Sequence, residues 1–504
     1  MKTSLSVLVI DLEYTRDEIN EPINIDTVMA SFDKKLLDRV RFDLWYRTLG
    51  DLSPRDPGAY DLVFISTKVS SGEVLKDLLK TFSDTLTVVG GVIATYLYEE
   101  LLESFPNLIL SLGEGENSLS AILEAALREP THDAVCNALS QSAVPGVAFV
   151  KDGVRTVHAI RPAAIKTLTE PLCHRTLETT LERNGLIRIE GSRGCPWNQC
   201  TFCSVAHKYG AGWRAFPLEK TLSEIVTLAS AGAENLYFTD EDFFGGLSHF
   251  TALFSGILKL KEAGKIPKNT AFWGSTSVYT LMRFGDALDE SLALSKKAGV
   301  GVLFLGIESG SASQLKRYRK GVTKEENRFI LQKLKDAGIR VDVGFIMFDA
   351  EATLDEVREN LAFCYETGLT DTVSRLAKPL RVMPHTALSA HYEKEGLLLG
   401  EWDVNEVMRP FRFRDKKVEA LFHALERLDL AILDKANRMQ AAIRMSGGYE
   451  DSASLKSLLT LRHTEYRFIE AFLKEFADRD TDPEAIDRLI EVFLSSLTPD
   501  SASD

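Results

Sequence analysis

Short apolar runs of strand type alternate with helical segments along most of this chain. In the first part the strand-like runs are SVLVIDL, Asp61–Ser66 (DLVFIS), Leu86–Gly91 (LTVVGG) and Asn107–Gly113 (NLILSLG). Alternation of this kind predicts an α/β fold with a doubly wound parallel sheet. Such sheets bind ligands outside the carboxyl ends of their strands. Those ends carry Ser66, Thr67, Gly90, Gly91 and Gly113.

The alternation resumes at Leu186 after a less periodic stretch. The later strand-like runs are LIRIEGSRG, NLYFTD, AFWGSTS, GVLFLGIESG and RVDVGFIMFD. Repeated strand–helix units of this kind predict a full or partial (β/α) barrel. Beyond about Glu401 the apolar residues recur at helical spacing, as Val418, Leu421 and Leu425 do, and predict a helical region.

These patterns predict four regions. They are an N-terminal sheet domain over 1–140, a linker over 141–185, a barrel over 186–395 and a helical domain over 396–504. The tail Pro499–Asp504 is polar and is expected to be disordered.

Composition excludes several classes of function. The formal charge is −14 and no basic patch stands out, so a nucleic-acid partner is not expected. The apolar run Leu5–Ile10 is closed at once by Asp11 and is too short for a membrane span or a secretory signal. Six cysteines are too few for a disulfide scaffold in a chain of 504 residues. We therefore expect a cytoplasmic protein with no membrane partner.

Three of the six cysteines fall within nine residues, directly after a predicted strand. Cys195, Cys200 and Cys203 have the spacing Cys-x4-Cys-x2-Cys. Thiolates are soft ligands that suit zinc or an iron–sulfur cluster. A zinc site needs a fourth ligand, which His207 could supply. A [4Fe-4S] cluster with three cysteines leaves one iron open to a cosubstrate.

The cysteine loop and four later segments resemble, in order, the motifs of radical S-adenosylmethionine (SAM) enzymes. The usual spacing in that family is Cys-x3-Cys-x2-Cys, so this chain has one extra residue between the first two cysteines. The resemblance implies that the cysteines bind a [4Fe-4S] cluster. It also implies that Phe202, just before the last cysteine, packs beside the adenine of SAM.

Two of the later segments are similar to motifs that hold the methionine part of SAM. Tyr237–Phe243 resembles the second-strand motif, and Leu305–Gly310 with Lys320 resembles the fourth-strand motif. The resemblance implies that the SAM amino group and other polar groups bind residues of these two motifs. These residues are Thr239, Asp240, Asp242, Glu308 and Ser309. Lys320 would pair with the SAM carboxylate.

The other two segments resemble motifs at the end of the barrel. Gly344–Glu351 is similar to the fifth-strand motif, which cradles adenine through its backbone near Ile346. Phe348 stands where that motif has its second glycine. Arg381–Thr386 resembles the segment that closes the sixth strand.

The N-terminal region resembles the Rossmann-like cobalamin-binding domain found in front of many radical SAM enzymes. The matching segments are Asp61–Ser66, Thr87–Thr95 and Gly113–Glu116. The resemblance implies cobalamin contacts from Ser66, Thr67, Gly90, Gly91, Gly113 and Glu114. No Asp-x-His-x-x-Gly motif is present, so a histidine on the lower face of cobalt is not predicted. A simpler interpretation is that the acidic residues at 114 and 116 complement a helix dipole.

The resemblance implies a function as well as a fold. A radical SAM enzyme uses its reduced cluster to split SAM, and the radical that results abstracts hydrogen from the substrate. Cobalamin would then supply a methyl group, so we expect a methyltransferase acting on an unactivated carbon of a small-molecule or peptide metabolite. A flavodoxin or ferredoxin would supply electrons.

Other functions remain open from the sequence. The same cofactors could serve a rearrangement, ring contraction or cyclisation without methyl transfer. A tRNA methylthiotransferase shares several barrel motifs but would carry a basic RNA-binding module. A cobalamin or iron–sulfur sensor is a non-enzymatic alternative. Outside the cluster, Cys364 is expected in the core and His385 on the surface near the barrel rim.

Overall fold

The computed structural model describes residues 3–12, 19–47, 56–371, 376–445 and 453–495. The predicted disorder of Pro499–Asp504 lies outside the described residues. Among the residues that the structure describes, no helix combines the length and the apolar character that a membrane crossing requires.

The N-terminal region is built around a seven-stranded sheet. Its strands are β1 (Leu5–Asp11), β2 (Val40–Tyr46), β3 (Leu62–Thr67), β4 (Leu86–Gly91), β5 (Leu108–Ser111), β6 (Val147–Lys151) and β7 (Val154–Val157). Its helices are α1 (Ile23–Ala30), α2 (Lys34–Leu37), α3 (Gly72–Thr81), α4 (Val92–Tyr96), α5 (Tyr98–Ser104), α6 (Leu119–Arg128) and α7 (His132–Ser142). The strand order is β2-β1-β3-β4-β5-β6-β7, and the first five strands are parallel. The predicted parallel sheet is confirmed.

Helices cover both faces of this sheet. Alternate residues of β1 point to opposite sides, so Val7 and Val9 join one buried cluster and Leu8 and Ile10 join another. Because both faces are covered, the central strands are apolar at nearly every position, as expected for buried parallel strands.

The segment predicted as a linker over 141–185 contributes to the sheet, which corrects that boundary. Strands β6 and β7 form a hairpin that pairs antiparallel with β5. Its two-residue turn is Asp152-Gly153, with φ of 49° and 75°. An Asp-Gly pair between two apolar runs is a strong hairpin signal, and sequence analysis overlooked it.

The barrel region alternates short strands and helices from residue 177 onward. Its elements are α8 (Leu177–Glu182), β8 (Ile187–Ile189), β9 (Ser192–Cys195), α9 (Val205–Tyr209), β10 (Gly212–Ala215), α10 (Leu218–Ser230), β11 (Asn235–Phe238), α11 (Leu247–Glu262), β12 (Ala271–Ser277), α12 (Val278–Met282), α13 (Leu288–Ala298), β13 (Val300–Glu308), α14 (Ala312–Arg317), α15 (Lys324–Asp336), β14 (Arg340–Phe345), α16 (Leu354–Thr367) and α17 (Ala387–Lys394).

Five of these strands form one parallel sheet in the order β14-β13-β12-β11-β8. Within the described ranges β8 and β14 are its two edges, so the barrel is partial and not closed. Beyond β14, Phe348 and Pro379 form an isolated parallel bridge where a sixth strand would begin. Strands β9 and β10 lie outside this sheet and pair with each other as an antiparallel ribbon.

The C-terminal region is helical, as predicted. It consists of α18 (Lys416–Met445), α19 (Ala453–Phe476) and α20 (Pro483–Ser495). Val418 and Leu421 of α18 and Phe472 of α19 belong to the same buried cluster as the barrel strands. The helices therefore extend the barrel core.

A buried ion network joins the N-terminal sheet to the barrel. Arg193 of β9 contacts Glu114 at 2.6 Å, Glu116 at 2.7 Å and Glu190 at 2.8 Å. Arg214 of β10 contacts the second oxygen of Glu114 at 2.9 Å. The acidic residues after β5 thus bind the barrel across the domain boundary, which replaces the interpretation that they complement a helix dipole. Burial lowers the pKa of Arg193, but Glu116 and Glu190 outweigh it and raise the pKa overall.

Removing the cation of this network should destabilise the chain strongly. In an Arg193→Met variant Glu116 and Glu190 stay buried without their cation, at a cost of about 3–5 kcal/mol. The control is Arg155→Met, which breaks the half-exposed pair with Glu99 and should cost about 0–1 kcal/mol. Unfolding of the metal-free chain in denaturant would measure both. Equal midpoints for the two variants would contradict a role for the network in stability.

Candidate functional site

The three clustered cysteines lie on a loop that begins at the end of β9. Cys195 pairs with Gly212 of β10, and all three thiols are partly buried. Gly194 has φ of 85°, and a Cβ there would lie 2.2 Å from the Gly212 carbonyl oxygen. Glycine is therefore required where the two strands of the ribbon approach each other just before the first cysteine.

Three hydrogen bonds join the cysteine loop to the last residue of α14 and the two residues that follow it. The Thr201 amide donates to the Tyr318 carbonyl at 2.9 Å, and the Thr201 hydroxyl donates to the Arg317 carbonyl at 2.9 Å. The Trp197 indole nitrogen donates to the Arg319 carbonyl at 2.7 Å. The loop is thus held before and after the second cysteine.

Asp349 holds that anchoring segment in place through hydrogen bonds. It accepts hydrogen bonds from the Tyr318 hydroxyl at 2.6 Å and from Arg317 at 2.8 Å, and Gln314 and Tyr392 complete its partners. Burial raises its pKa, but Arg317 outweighs this and holds the pKa below the usual range. Sequence analysis did not assign Asp349 a role. Its only signal was an acidic side chain in a buried strand-end motif.

Glu308 and Lys320 lie together beside the cysteines. Their side chains form an ion pair at 2.8 Å, and both are mostly buried. Glu308 ends β13 with φ of 64°, next to a shift in the pairing register with β14, so the backbone turns its side chain towards Lys320. Burial lowers the pKa of Lys320, but Glu308 and the Cys200 thiol outweigh it and raise the pKa. The ammonium group therefore stays charged beside the thiols.

The chemistry of the three thiols fits a cluster that they would bind as thiolates. Burial raises the pKa of all three, that of Cys200 to about 12, so the metal-free chain holds them protonated. Metal binding must then release protons. The charged Lys320 lowers the pKa of each thiol, which favours the thiolate form.

The zinc alternative required His207 as a fourth ligand, and the structure gives that ring other partners. Its Nε2 lies 3.2 Å from the Thr95 carbonyl, and it stacks on His385 at 4.2 Å. His385, expected on the surface, is exposed, and its Nε2 lies 3.1 Å from the Tyr96 carbonyl. Within the described ranges, no three His, Cys, Asp or Glu side chains are grouped to hold a single metal ion. A cluster in which each thiol binds a different iron does not need such a group.

The two aspartates of the second-strand motif point inward. Asp240 is 3% exposed and accepts hydrogen bonds from the Gly191 amide at 2.9 Å and from the Ser192 hydroxyl. Asp242 is fully buried and accepts from three hydroxyl groups at 2.6–2.9 Å, those of Thr276, Ser277 and Thr280. Burial raises the pKa of both carboxyl groups. Their partners are internal, so they hold the strand ends of the barrel in place.

Glu241, between them, is the acidic residue of this motif that borders open space. It lines a cavity together with Thr239 and accepts a hydrogen bond from the Gly194 amide at 3.1 Å. Burial raises its pKa, and the nearby Lys208 opposes that shift. Sequence analysis missed Glu241, because three acidic residues in a row give no signal of which one faces outward.

Three further residues were predicted to contact SAM, namely Phe202, Ile346 and Ser309. Phe202 and Ile346 lie against the same group of buried residues, and Ser309 has other neighbours. Phe202 and Ile346 pack against the same buried cluster, with Phe202 at 5.2 Å from the Tyr318 ring. Ser309 is fully buried, and its hydroxyl bonds the side chains of Gln314 and Asn360. Phe348 is also fully buried.

Phe348 has a packing role that explains the missing glycine. Its ring contacts Phe413 at 6.4 Å and Phe422 of α18 at 5.4 Å. The residue that replaces the second glycine of the motif therefore joins the barrel to the C-terminal helices.

One cavity connects the N-terminal sheet with the barrel. It is lined by all six residues predicted at the sheet edge, which are Ser66, Thr67, Gly90, Gly91, Gly113 and Glu114. From the barrel side it is lined by Arg188, Glu190, Arg193, Lys208, Tyr209, Thr239 and Glu241. Its inner end lies under the sheet and is largely apolar, with side chains such as Val28, Phe32, Phe42 and Leu119. The arrangement suits a ligand with a flat apolar end and a polar end.

The glycine at the end of β4 is required by the protein itself. Gly91 has φ of 87°, and a Cβ there would lie 2.3 Å from the Thr67 carbonyl oxygen. The Thr67 hydroxyl donates to the Gly90 carbonyl at 2.7 Å and accepts from the Ile93 amide at 3.0 Å. These bonds fix the turn that forms the floor of the cavity.

A family profile matches most of the barrel region. Residues 189–364 match the profile of the Radical SAM superfamily. The match begins before the first clustered cysteine and ends after the fifth-strand motif, so it covers the cysteine loop and the barrel motifs described above.

Two characterised relatives extend beyond that region. The chain is 31% identical over 301 residues to the 4'-phospho-dehydrooxetanocin synthase of Priestia megaterium, covering 56% of this chain and 38% of the synthase. It is 28% identical over 344 residues to the hopanoid C-3 methylase of Methylococcus capsulatus, covering 65% of this chain and 61% of the methylase. The chain therefore spans less than two thirds of the length of either relative.

A solved structure matches almost the whole chain. The cobalamin-dependent S-adenosylmethionine radical enzyme OxsB, with aqua-cobalamin and S-adenosylmethionine bound, superposes with a TM-score of 0.82. The match covers 98% of this chain and 79% of OxsB at 19% sequence identity. The two chains share a fold from the N-terminal sheet to the C-terminal helices.

Loss of one clustered thiol should abolish the metal centre. We expect the anaerobically reconstituted chain to bind about four irons and four sulfides, and Cys200→Ala to lose the intact cluster. Cys364→Ala, which changes a buried core thiol, is the matched control and should keep it. Iron and sulfide analysis with electron paramagnetic resonance of the reduced protein would measure both. Full iron content in Cys200→Ala, or one zinc per chain in the wild type, would contradict the ligand assignment.

Proposed function

Because residues 189–364 of this chain form a radical SAM domain, within the overall fold of a cobalamin-dependent radical SAM enzyme, we propose that the protein is a cobalamin-dependent radical SAM methyltransferase. Its substrate would be an unactivated carbon of a small-molecule or peptide metabolite. The observation that carries the proposal is a cavity between the sheet edge and the barrel. It is lined by the residues predicted for cobalamin and by Thr239, one of the residues predicted for SAM.

The residues beside the cysteine loop fit the binding of a cluster and SAM. Cys195, Cys200 and Cys203 would hold the [4Fe-4S] cluster, which supplies the electron that cleaves SAM, while cobalamin supplies the methyl group. Lys320 is charged and lies beside the thiols, where it can pair with the SAM carboxylate in exchange for Glu308. Glu308 would then be free to accept from the amino group.

The adenine end of SAM would lie against Phe202 and Ile346. These side chains pack on the cluster of buried residues that includes Tyr318, which is held in turn by Asp349. The Ile346 amide donates to the Glu308 carbonyl at 2.7 Å, so the adenine side and the methionine side are fixed to each other. Preorganisation of this kind orients a cosubstrate before it reacts.

The residues that line the cavity would hold cobalamin without a histidine to bind its cobalt. The apolar residues of the cavity, such as Val28 and Phe42, would contact the flat benzimidazole tail, and Gly90 and Gly91 line the cavity at the sheet edge. None of the described residues that line the cavity is a histidine. Lys208 and Glu241, on the barrel side, border the space where a substrate would meet both cofactors.

Methyl transfer is favoured over rearrangement by the similarity to the hopanoid C-3 methylase. Methyl transfer of this kind would consume SAM in two different reactions. One SAM would methylate cobalamin and leave S-adenosylhomocysteine, and a second would leave 5′-deoxyadenosine and methionine. An acidic flavodoxin or ferredoxin would supply the electrons.

The products of turnover should therefore report which reaction takes place. With substrate, S-adenosylhomocysteine and 5′-deoxyadenosine should accumulate in about equal amounts with the methylated product, because methyl supply and hydrogen abstraction each consume one SAM. Liquid chromatography with mass spectrometry would quantify them, and deuterium from labelled substrate should enter 5′-deoxyadenosine. Deuterium transfer without S-adenosylhomocysteine would contradict the methyltransferase and favour rearrangement or cyclisation.

A further inference from the structure

The extra-long stretch between Cys195 and Cys200 carries an aromatic side chain that connects the cysteine loop with the protein surface. The Trp197 ring lies 4.3 Å from the Tyr279 ring of α12. It also packs on Gly321, where a Cβ would lie 2.6 Å from the indole. Together with its hydrogen bond to Arg319, these contacts fix the indole between the first two cysteines.

One basic side chain contacts this aromatic pair, and two more lie on the segment to which Trp197 is bonded. The Arg283 guanidinium lies 5.6 Å from the centre of the Tyr279 ring and is exposed. Lys316 and Arg319, on the segment that anchors the cysteine loop, are exposed as well. We call these five residues the Trp197 surface: Trp197, Tyr279, Arg283, Lys316 and Arg319. In the part of the chain that the structure describes, none of its three cations forms an ion pair.

The acidic residues at the start of the neighbouring helix α15 do not neutralise these cations. Glu325 lies 3.8 Å from Arg328, and Glu326 bonds the Thr323 backbone in a capping box. The whole chain has a formal charge of −14, so this positive surface stands against the overall charge. A positively charged surface on a protein of negative net charge favours the binding of an acidic partner.

The other flank of the cysteine loop is covered by the N-terminal domain. Tyr96 donates from its hydroxyl to the Ser204 carbonyl at 3.1 Å, and His207 contacts Thr95. A large partner therefore has to approach the loop from the side of Trp197.

We propose that the Trp197 surface docks a small acidic electron-transfer protein of the flavodoxin type. The proposal rests on the proposed function, because it requires the cluster at the three cysteines. In the step that it serves, one electron passes from the donor's reduced flavin to the cluster, and no bond is made or broken. Interfaces for such transfers are small and weak and depend on complementary charge, as this surface provides.

The test compares two double charge reversals in the reconstituted protein. Arg283→Glu with Arg319→Glu alters the Trp197 surface. Lys265→Glu with Lys268→Glu makes the same change in net charge at exposed positions before β12, at the opposite ends of the strands. Calorimetry with a reduced flavodoxin should show binding weakened about tenfold by the first pair only, and high salt should weaken the wild type more than the first variant.

Reduction by dithionite separates this proposal from the proposed function. Because dithionite needs no docking surface, both variants should give the wild-type resonance signal of the reduced cluster. A wild type without a cluster would refute the proposed function. A normal cluster with equal flavodoxin affinity in both variants would overturn the docking surface alone.

Discussion

The contact of Arg193 with Glu114 and Glu116 is the interaction on which the site depends. Arg193 stands two residues before Cys195 on β9, and the two glutamates follow β5 at the carboxyl edge of the N-terminal sheet. The Arg193 guanidinium therefore joins the strand that leads into the cysteine loop to the sheet edge, and Arg214 of β10 adds a second contact to Glu114. Because the whole group is buried, its charges compensate one another, and loss of one partner would leave an unpaired charge between the N-terminal sheet and the barrel.

The remaining acidic residues divide into two groups with different roles. Asp240, Asp242 and Asp349 are buried and saturated with internal hydrogen bonds, so they hold strand ends and the anchor of the cysteine loop. Glu241 and Glu308 lie at the edge of the space that the cofactors would fill, each near a lysine. Burial alone raises the pKa of a carboxyl group, and a neighbouring cation decides whether the charge persists.

Local patterns in the sequence predicted the sheet, the barrel strands, the helical end and the cysteine loop, because each depends on spacing within a short segment. The edge residues that line the cavity followed from the rule for parallel sheets. Contacts between segments that are distant in sequence could not be predicted from these patterns. Arg193 and Glu114 are 79 positions apart, and nothing in either neighbourhood indicates the pairing. The inward turn of Asp240 and the packing of Phe348 depend on tertiary neighbours in the same way.

The cavity's role as a cobalamin site is the central claim, and one spectrum tests it most directly. The chain would be incubated with cobalamin, freed of excess by gel filtration, reduced to Co(II) and examined by electron paramagnetic resonance. Because no described residue lining the cavity is a histidine, and the benzimidazole tail would occupy the apolar part of the cavity instead of binding cobalt, the predicted result is about one bound cobalt whose signal lacks nitrogen splitting. Loss of cobalt on the column, or a nitrogen-split signal from an axial imidazole, would contradict the claim.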